Sequence, residues 1–306
     1  MPIDTRPWWS DFLHPRFWPT WLMFFLLWLL TRLPFGLQMR SGRLLGRIAW
    51  RLARRRRHIA EVNNRLCFPD LNAREQAALV RAHFLSLGLG VVETALCWWG
   101  REAQLRGKYR LIGAQHLQAA RAHGRGIILL SAHFTTLELG GRLLALTQPF
   151  HVLYRPHKNR LFETVMQRAR ARRFETAIPR DNTRALLKSL KQNRAVWYAP
   201  DQNHGGTRSV FAPFFGVQAS TLTTTSRLAK ISGAAVVPFF QLRLPNDQGY
   251  LLIICPALAD FPTDDPRNDA ARINRLIEDT VREMPEQYLW VHRRFKTRPP
   301  GETYPY

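Results

Sequence analysis

The sequence predicts an α/β fold: a single domain built on a mixed sheet flanked by helices, behind an N-terminal membrane-anchor helix. Three observations carry this. From residue 126 onward, short apolar runs alternate with stretches of helical periodicity. Residues 126–141, GIILLSAHFTTLELGG, read as a buried strand running into a helix. Residues 17–30, FWPTWLMFFLLWLL, are almost wholly apolar. The division that follows is an anchor over residues 1–36 and one domain over 37–306. No internal repeat, low-complexity stretch or Gly/Ser linker divides the domain further.

The apolar N-terminal block is short for a spanning helix, which needs about 20 residues, but Trp18, Trp21 and Trp28 suit an interface. A cleaved signal peptide is disfavoured because Arg32 and Pro34 follow, not a small-residue cleavage site. An uncleaved anchor is expected, either spanning the membrane or lying in its interface. Arg40, Arg43, Arg47, Arg51 and Arg54 then fall within an arc of about 80° on a helical wheel, with Leu44, Leu45, Ile48 and Leu52 on the neighbouring face. A basic stripe directly after an anchor predicts a cytoplasmic juxtamembrane helix. The next helix, within residues 72–100, has Asn72 as a candidate cap and structural packing as its role, with His83 no ligand.

Charge narrows the partners. The 306 residues carry 45 Lys+Arg against 22 Asp+Glu, a formal net charge of +23. Such a balance implies a polyanionic partner: nucleic acid, an anionic membrane surface or a phosphorylated substrate. Tryptophan clustering near the N-terminus favours the membrane over nucleic acid. Cys67, Cys97 and Cys255 are odd in number and widely spaced, which excludes a disulfide framework and a Cys-based zinc site and fits a reducing compartment.

The chemistry concentrates at the strand-to-helix corner of residues 126–141. His133 follows the apolar run 127–130 at the open end of the expected sheet, and Glu138 stands five residues on. Positions i and i+5 lie roughly 140° apart on a helix, so His133 must precede the helix if Glu138 is to reach it. A carboxylate that orients a histidine makes a general-base pair. The bland alternatives are a hydrogen-bonded structural histidine and a capping box between Thr135 and Glu138.

Downstream, strands are expected over 151–154, 195–199, 234–240 and 250–255, and helices over 159–173, 182–192, 221–232 and 267–284. Arg155, just past the second strand, suits a phosphate or carboxylate, or else a surface ion pair. Arg180 precedes a helix for which Asp181 or Asn182 is a candidate cap. Residues 200–206, PDQNHGG, form a polar, glycine-bearing loop containing Asp201. Arg208 leads into the aromatic lip VFAPFFG, a wall of an acyl groove or a core segment. Neither a P-loop nor a G-x-S-x-G elbow is present, so the signatures of nucleotide hydrolysis and α/β-hydrolase chemistry are missing.

Together, the anchor, His-x4-Glu at a strand end, YRPHKN, WYAPDQNHGG, SVFAPFFG and EQYLWVHRRFKTRP resemble the late acyltransferases of lipid A biosynthesis. The resemblance runs over nearly the whole chain. The His-x4-acid element alone marks the wider glycerolipid acyltransferase superfamily. The full set of blocks implies an inner-membrane enzyme with its site on the cytoplasmic side, moving a fatty acyl chain such as lauroyl from acyl carrier protein to a 3-hydroxyacyl hydroxyl of Kdo2-lipid IVA. On that resemblance His133 is the general base, Glu138 its orienting acid, Arg155 a site residue, and the region around Asp201 part of the site; the residues expected to bind substrate are Arg155, Arg180, Asp201 and Arg208. No cofactor, metal or nucleic acid is implied. A lysophospholipid acceptor, or a non-catalytic tethered binder of anionic ligands, are the competing readings.

Overall fold

The computed structural model describes residues 7–306, so residues 1–6 of the expected anchor lie outside the described residues. Four helices come first: α1 (Trp18–Leu30), α2 (Phe35–Leu52), α3 (Arg54–Cys67) and α4 (Ala73–Trp99). The remaining chain supplies nine strands and six helices. In order these are β1 (Tyr109–Ile112), α5 (Ala114–Ala122), β2 (Ile127–Leu130), α6 (Leu137–Ala145), β3 (His151–Tyr154), α7 (Arg160–Ala171), β4 (Thr176–Pro179), α8 (Thr183–Lys191) and β5 (Ala195–Tyr198). A hairpin of β6 (Ser209–Phe214) and β7 (Val217–Leu222) follows, then α9 (Thr224–Ser232), β8 (Ala235–Arg243), β9 (Tyr250–Ile254) and α10 (Pro266–Glu283).

Seven strands form one sheet in the order β1-β9-β8-β2-β5-β3-β4, and β6-β7 stand apart. All neighbours are parallel except β8 and β9, so the sheet is mixed, as the sequence predicts. β2 is buried at every residue because strands flank it on both edges and packed layers cover both faces. Of the four strands that sequence reading passes over, β6 and β7 form the separate hairpin and β1 and β4 are sheet edges: β1 alternates half-buried and exposed residues, and β4 ends in Pro179. The helix expected from residue 221 begins later, at Thr224, because Thr221 and Leu222 complete β7.

α4 is the helix against which the N-terminal layer packs. Asn72 caps it in a capping box, its Oδ1 accepting from the Arg74 and Glu75 amides (2.9 and 3.1 Å) while Glu75 accepts from the Asn72 amide at 2.9 Å. At its other end the buried Arg142 guanidinium donates to the carbonyls of Leu96 and Gly100, a cation on the last turn. Among the described residues α4 is the one helix that could cross a membrane by length and composition, but 56% of its most apolar window is buried in the protein, with His83 and Glu93 fully enclosed. It is a core helix. His83 keeps the structural role expected of it: burial lowers its pKa to about 4, and its Nδ1 lies 3.0 Å from the Glu286 carbonyl.

Glu93 answers Arg243 of β8 through a buried, two-toothed ion pair at 2.6 and 2.7 Å. Tyr250 donates to the same carboxylate, and Arg243 also donates to Ser86 at 2.9 Å. A cation this deep is stable only because its donors are matched in this way.

α2 meets α4 backbone to backbone through Gly42, Gly46 and Gly88. A Cβ on Gly88 would stand 2.2 Å from the Gly42 carbonyl oxygen and 2.3 Å from the Gly46 nitrogen. The buried side of α2 is therefore Gln38, Met39, Gly42 and Gly46, while Leu44, Ile48 and Leu52 face outward beside Arg40, Arg47 and Arg51. This corrects the expected wheel in one respect: Ala53, with ψ 57°, breaks the helix so that Arg54 opens α3 and does not extend the stripe. Gly88→Ala is expected to cost about 1–3 kcal/mol by overpacking, read as a lowered denaturant midpoint. Gly36→Ala, with open space around it, should leave that midpoint unchanged.

Candidate active site

β2 and β5 are parallel neighbours with Leu130 opposite Tyr198. Carrying that register three residues past both strand ends places His133 beside Asp201. Their side chains meet there: His133 Nδ1 lies 2.6 Å from Asp201 Oδ1, and the His133 amide donates to Oδ2 at 3.0 Å. The carboxylate is buried, and the imidazole side chain keeps 27% of its surface exposed. With Nδ1 engaged, the proton there fixes the tautomer and leaves Nε2 as the basic nitrogen. No described residue hydrogen-bonds to that nitrogen.

The His133 turn is held from the C-terminal side of the chain. The Thr135 amide donates to the Gln287 carbonyl at 2.8 Å, the Leu289 amide donates to the His133 carbonyl at 2.9 Å, and Phe134 bridges to Tyr288. Thr135 Oγ1 lies 2.7 Å from Ser86 Oγ, which ties the turn to Arg243 and Glu93. The Asp201 loop is held by the same C-terminal segment. His292 Nε2 accepts the Asn203 amide at 3.0 Å, and the Asn203 side chain exchanges two hydrogen bonds with Thr297. Burial lowers the His292 pKa to about 4, so it stays neutral and its Nε2 remains an acceptor.

Charge coupling within the pair is strong. Burial opposes protonation of His133, but the Asp201 carboxylate beside it outweighs burial and raises the histidine pKa above its ordinary 6.5. Burial would raise the Asp201 pKa, yet the His133 contacts and the nearby Arg294 hold it well below the ordinary carboxylate range. Arg294 is itself buried and bonds the Ser220 carbonyl and Thr221 Oγ1, with no carboxylate of its own among the described residues.

Glu138 is elsewhere. It sits in the first turn of α6, does not cap that helix, and pairs with Arg170 of α7. The expectation that Glu138 orients His133 is therefore corrected: the acid on Nδ1 is Asp201. The reason is geometric. His133 precedes the helix as required, but the sheet brings a carboxylate to it from the neighbouring strand before α6 can. Glu138 and Arg170 line a small hollow that Trp197 also lines, and the Trp197 and His133 rings stand nearly perpendicular with their centroids 6.2 Å apart. The two ion pairs thus share one tryptophan wall.

Of the other expected site residues, Arg155 and Arg180 follow β3 and β4 at the same sheet edge as His133 and Asp201. Both are exposed. The Arg180 amide donates to the Tyr154 carbonyl, its guanidinium lies 3.6 Å from Asp181, and its charge helps depress the His204 pKa, after burial. Arg208 is exposed just before β6 and is not brought to the dyad by any described contact. The aromatic lip is core: Phe214 and Phe215 are buried and pack on Tyr288 and Trp290. Sequence reasoning did not single out Arg170, Asn203 or Trp197, nor give Asp201 its partner. The available signal was that His133 and Asp201 each stand three residues beyond an apolar strand. No group of three or more His, Cys, Asp or Glu side chains among the described residues is placed to hold a metal ion.

The chain is similar to known proteins over nearly its whole length. The chain is 41% identical to a lipid A biosynthesis palmitoleoyltransferase of Escherichia coli over 96% of each chain. It is also 41% identical to the lipid A biosynthesis lauroyltransferase of that organism, over 94% of this chain and 95% of the relative. A lipid A biosynthesis acyltransferase of Haemophilus influenzae is 32% identical over 95% of this chain and 94% of its own length. The family model described as bacterial lipid A biosynthesis acyltransferase matches residues 9–297, and the chain belongs to that family.

Proposed function

We propose that this acyltransferase moves a fatty acyl chain, lauroyl or similar, from acyl carrier protein to a 3-hydroxyacyl hydroxyl of Kdo2-lipid IVA, at the cytoplasmic side of the inner membrane. The observation that carries the chemistry is the His133–Asp201 pair with Nε2 uncommitted. Nε2 takes the proton of the acceptor hydroxyl, the alkoxide oxygen attacks the thioester carbonyl, and a tetrahedral oxyanion forms. Its collapse breaks the C–S bond, and the departing thiolate receives the proton from the imidazolium. The acceptor ester and the free carrier thiol are the products.

Asp201 contributes in two ways: it sets the tautomer and stabilises the imidazolium that forms. Because the thioester donor is already activated, deprotonating an unactivated hydroxyl is the demanding part, and the dyad addresses it. Glu138 holds Arg170 beside the Trp197 wall, so its role runs through that cation and not through the imidazole. Arg155 and Arg180, exposed on the sheet edge that bears the dyad, supply cations for the phosphates and carboxylates of the acceptor, and Arg208 adds another.

Incubating the protein with labelled lauroyl and palmitoleoyl acyl carrier protein, and with either Kdo2-lipid IVA or a lysophospholipid, tests the acceptor. Product is expected with Kdo2-lipid IVA; product from the lysophospholipid alone would overturn the reading. His133→Ala should lower kcat by about 10²–10⁴, checked on purified protein whose unfolding midpoint matches the wild type.

The pH profile separates the two acids. The base works when unprotonated, so kcat/KM should rise with pH along a limb above 6.5, as the raised His133 pKa requires. Asp201→Asn removes the charge that raises that pKa and leaves burial unopposed, so the limb should move to lower pH while kcat falls. Glu138→Gln should leave the limb where it is. A shift of the limb by Glu138→Gln, with none by Asp201→Asn, would reassign the orienting acid.

A further inference from the structure

α8 and α9 lie side by side on one face of the sheet, their leucines Leu186, Leu190 and Leu228 sharing a core with Ile128 of β2 and Val196 of β5. Both helices start at the edge that bears the dyad and run back along the sheet, because each leads into a strand, β5 or β8, that is parallel to β2. Their outward sides are cationic. Arg184, Lys188 and Lys191 recur at helical spacing over about 10 Å of α8, and Arg227 and Lys230 do the same on α9; all five are exposed. Neither helix contains an aspartate or a glutamate. Lys230 meets Asp264 at 3.0 Å in an exposed pair, whereas Arg184, Lys188, Lys191 and Arg227 have no ion-pair partner among the described residues.

Cations on other helices have different surroundings. α2 interleaves its arginines with exposed leucines. On α7, Arg168 stacks over Trp8 and Arg170 pairs with Glu138. α10 mixes its arginines with Glu278, Asp279 and Glu283. The paired face of α8 and α9 exposes a single large apolar side chain, Ile231, next to Lys230. Such a face complements an acidic protein; a bilayer would require several apolar side chains to enter it.

We propose that the outward face of α8 and α9 is the docking surface for the protein that delivers the acyl thioester, a carrier with an acidic face. This rests on the proposed reaction, in which acyl carrier protein is the donor. The placement suits a carrier that presents its thioester on a flexible arm: the body docks beside the site, and the arm alone enters it. Arg184, at the site end of α8, follows Arg180 by four residues, and Arg180 is near enough to His204, in the Asp201 loop, to lower its pKa, second only to burial. The cationic row thus leads from the docked body to the edge of the dyad. Attraction between the two surfaces speeds encounter and orients the carrier, and Ile231 adds an apolar contact at the far end.

The test uses initial rates of the full chain with lauroyl acyl carrier protein at saturating Kdo2-lipid IVA. Arg184→Glu/Lys188→Glu should raise KM for the carrier by about 10-fold or more with kcat unchanged, and should weaken the dependence of that KM on added salt. Unacylated carrier should inhibit the wild type competitively, and the variant only at correspondingly higher concentration. Ile231→Ser should raise the same KM. Arg106→Glu/Arg110→Glu alters the net charge equally at exposed positions by the edge strand β1 and should leave it unchanged. An unchanged carrier KM in Arg184→Glu/Lys188→Glu, an equal rise in the β1 variant, or a rise confined to KM for the lipid, as a membrane-facing surface would give, overturns the proposal. Absence of product from the wild type would overturn the proposed reaction itself, and the docking surface with it.

Discussion

The parallel register of β2 against β5 is the constraint on which the site depends. It fixes which residues beyond the two strand ends become neighbours, and it does so with backbone hydrogen bonds between a fully buried β2 and a half-buried β5. His133 and Asp201 are 68 residues apart along the chain and 2.6 Å apart in space for that reason. Everything else near them secures this meeting. Gln287 and Leu289 grip the histidine turn, and His292 and Thr297 grip the aspartate loop, so one C-terminal segment references both halves of the dyad to each other. Asn63 of α3 in turn bonds the carbonyls of Trp290 and His292, which joins that segment to the N-terminal layer.

What could be read from the sequence follows the range of the forces involved. The apolar runs behind β2, β3, β5, β8 and β9 are local, and they were legible. So was His133 as the strand-end histidine, because an apolar run ending in a polar turn carries its own signal. The partner of His133 was not legible, because it is set by strand order, and a spacing motif within one segment points to Glu138 instead. The same limit applies to α2. A wheel gives two candidate faces, and only the three glycines at the α4 contact decide that the leucines stay outside. The aromatic lip was ambiguous for a related reason, since its burial depends on Tyr288 and Trp290, which lie some 70 residues on.

The large positive charge separates into two populations. Arg142, Arg243 and Arg294 are interior groups whose guanidiniums bond helix-end carbonyls, a carboxylate and a hairpin respectively, and they hold elements together. Arg294 also steadies the charge on Asp201. The second population is outward: the arginines of α2 and the start of α3, and Arg155 and Arg180 at the sheet edge. Net charge alone suggests an anionic partner but cannot distinguish these roles. The hydrogen-bond partners do.

The close approach of α2 to α4 has a geometric consequence. With glycine backbones touching, α2 has no side-chain layer on which to slide or tilt, and α4 passes that rigidity through Ser86 to Thr135, two residues from His133. The outward stripe of α2 and the imidazole are therefore parts of one stiff body.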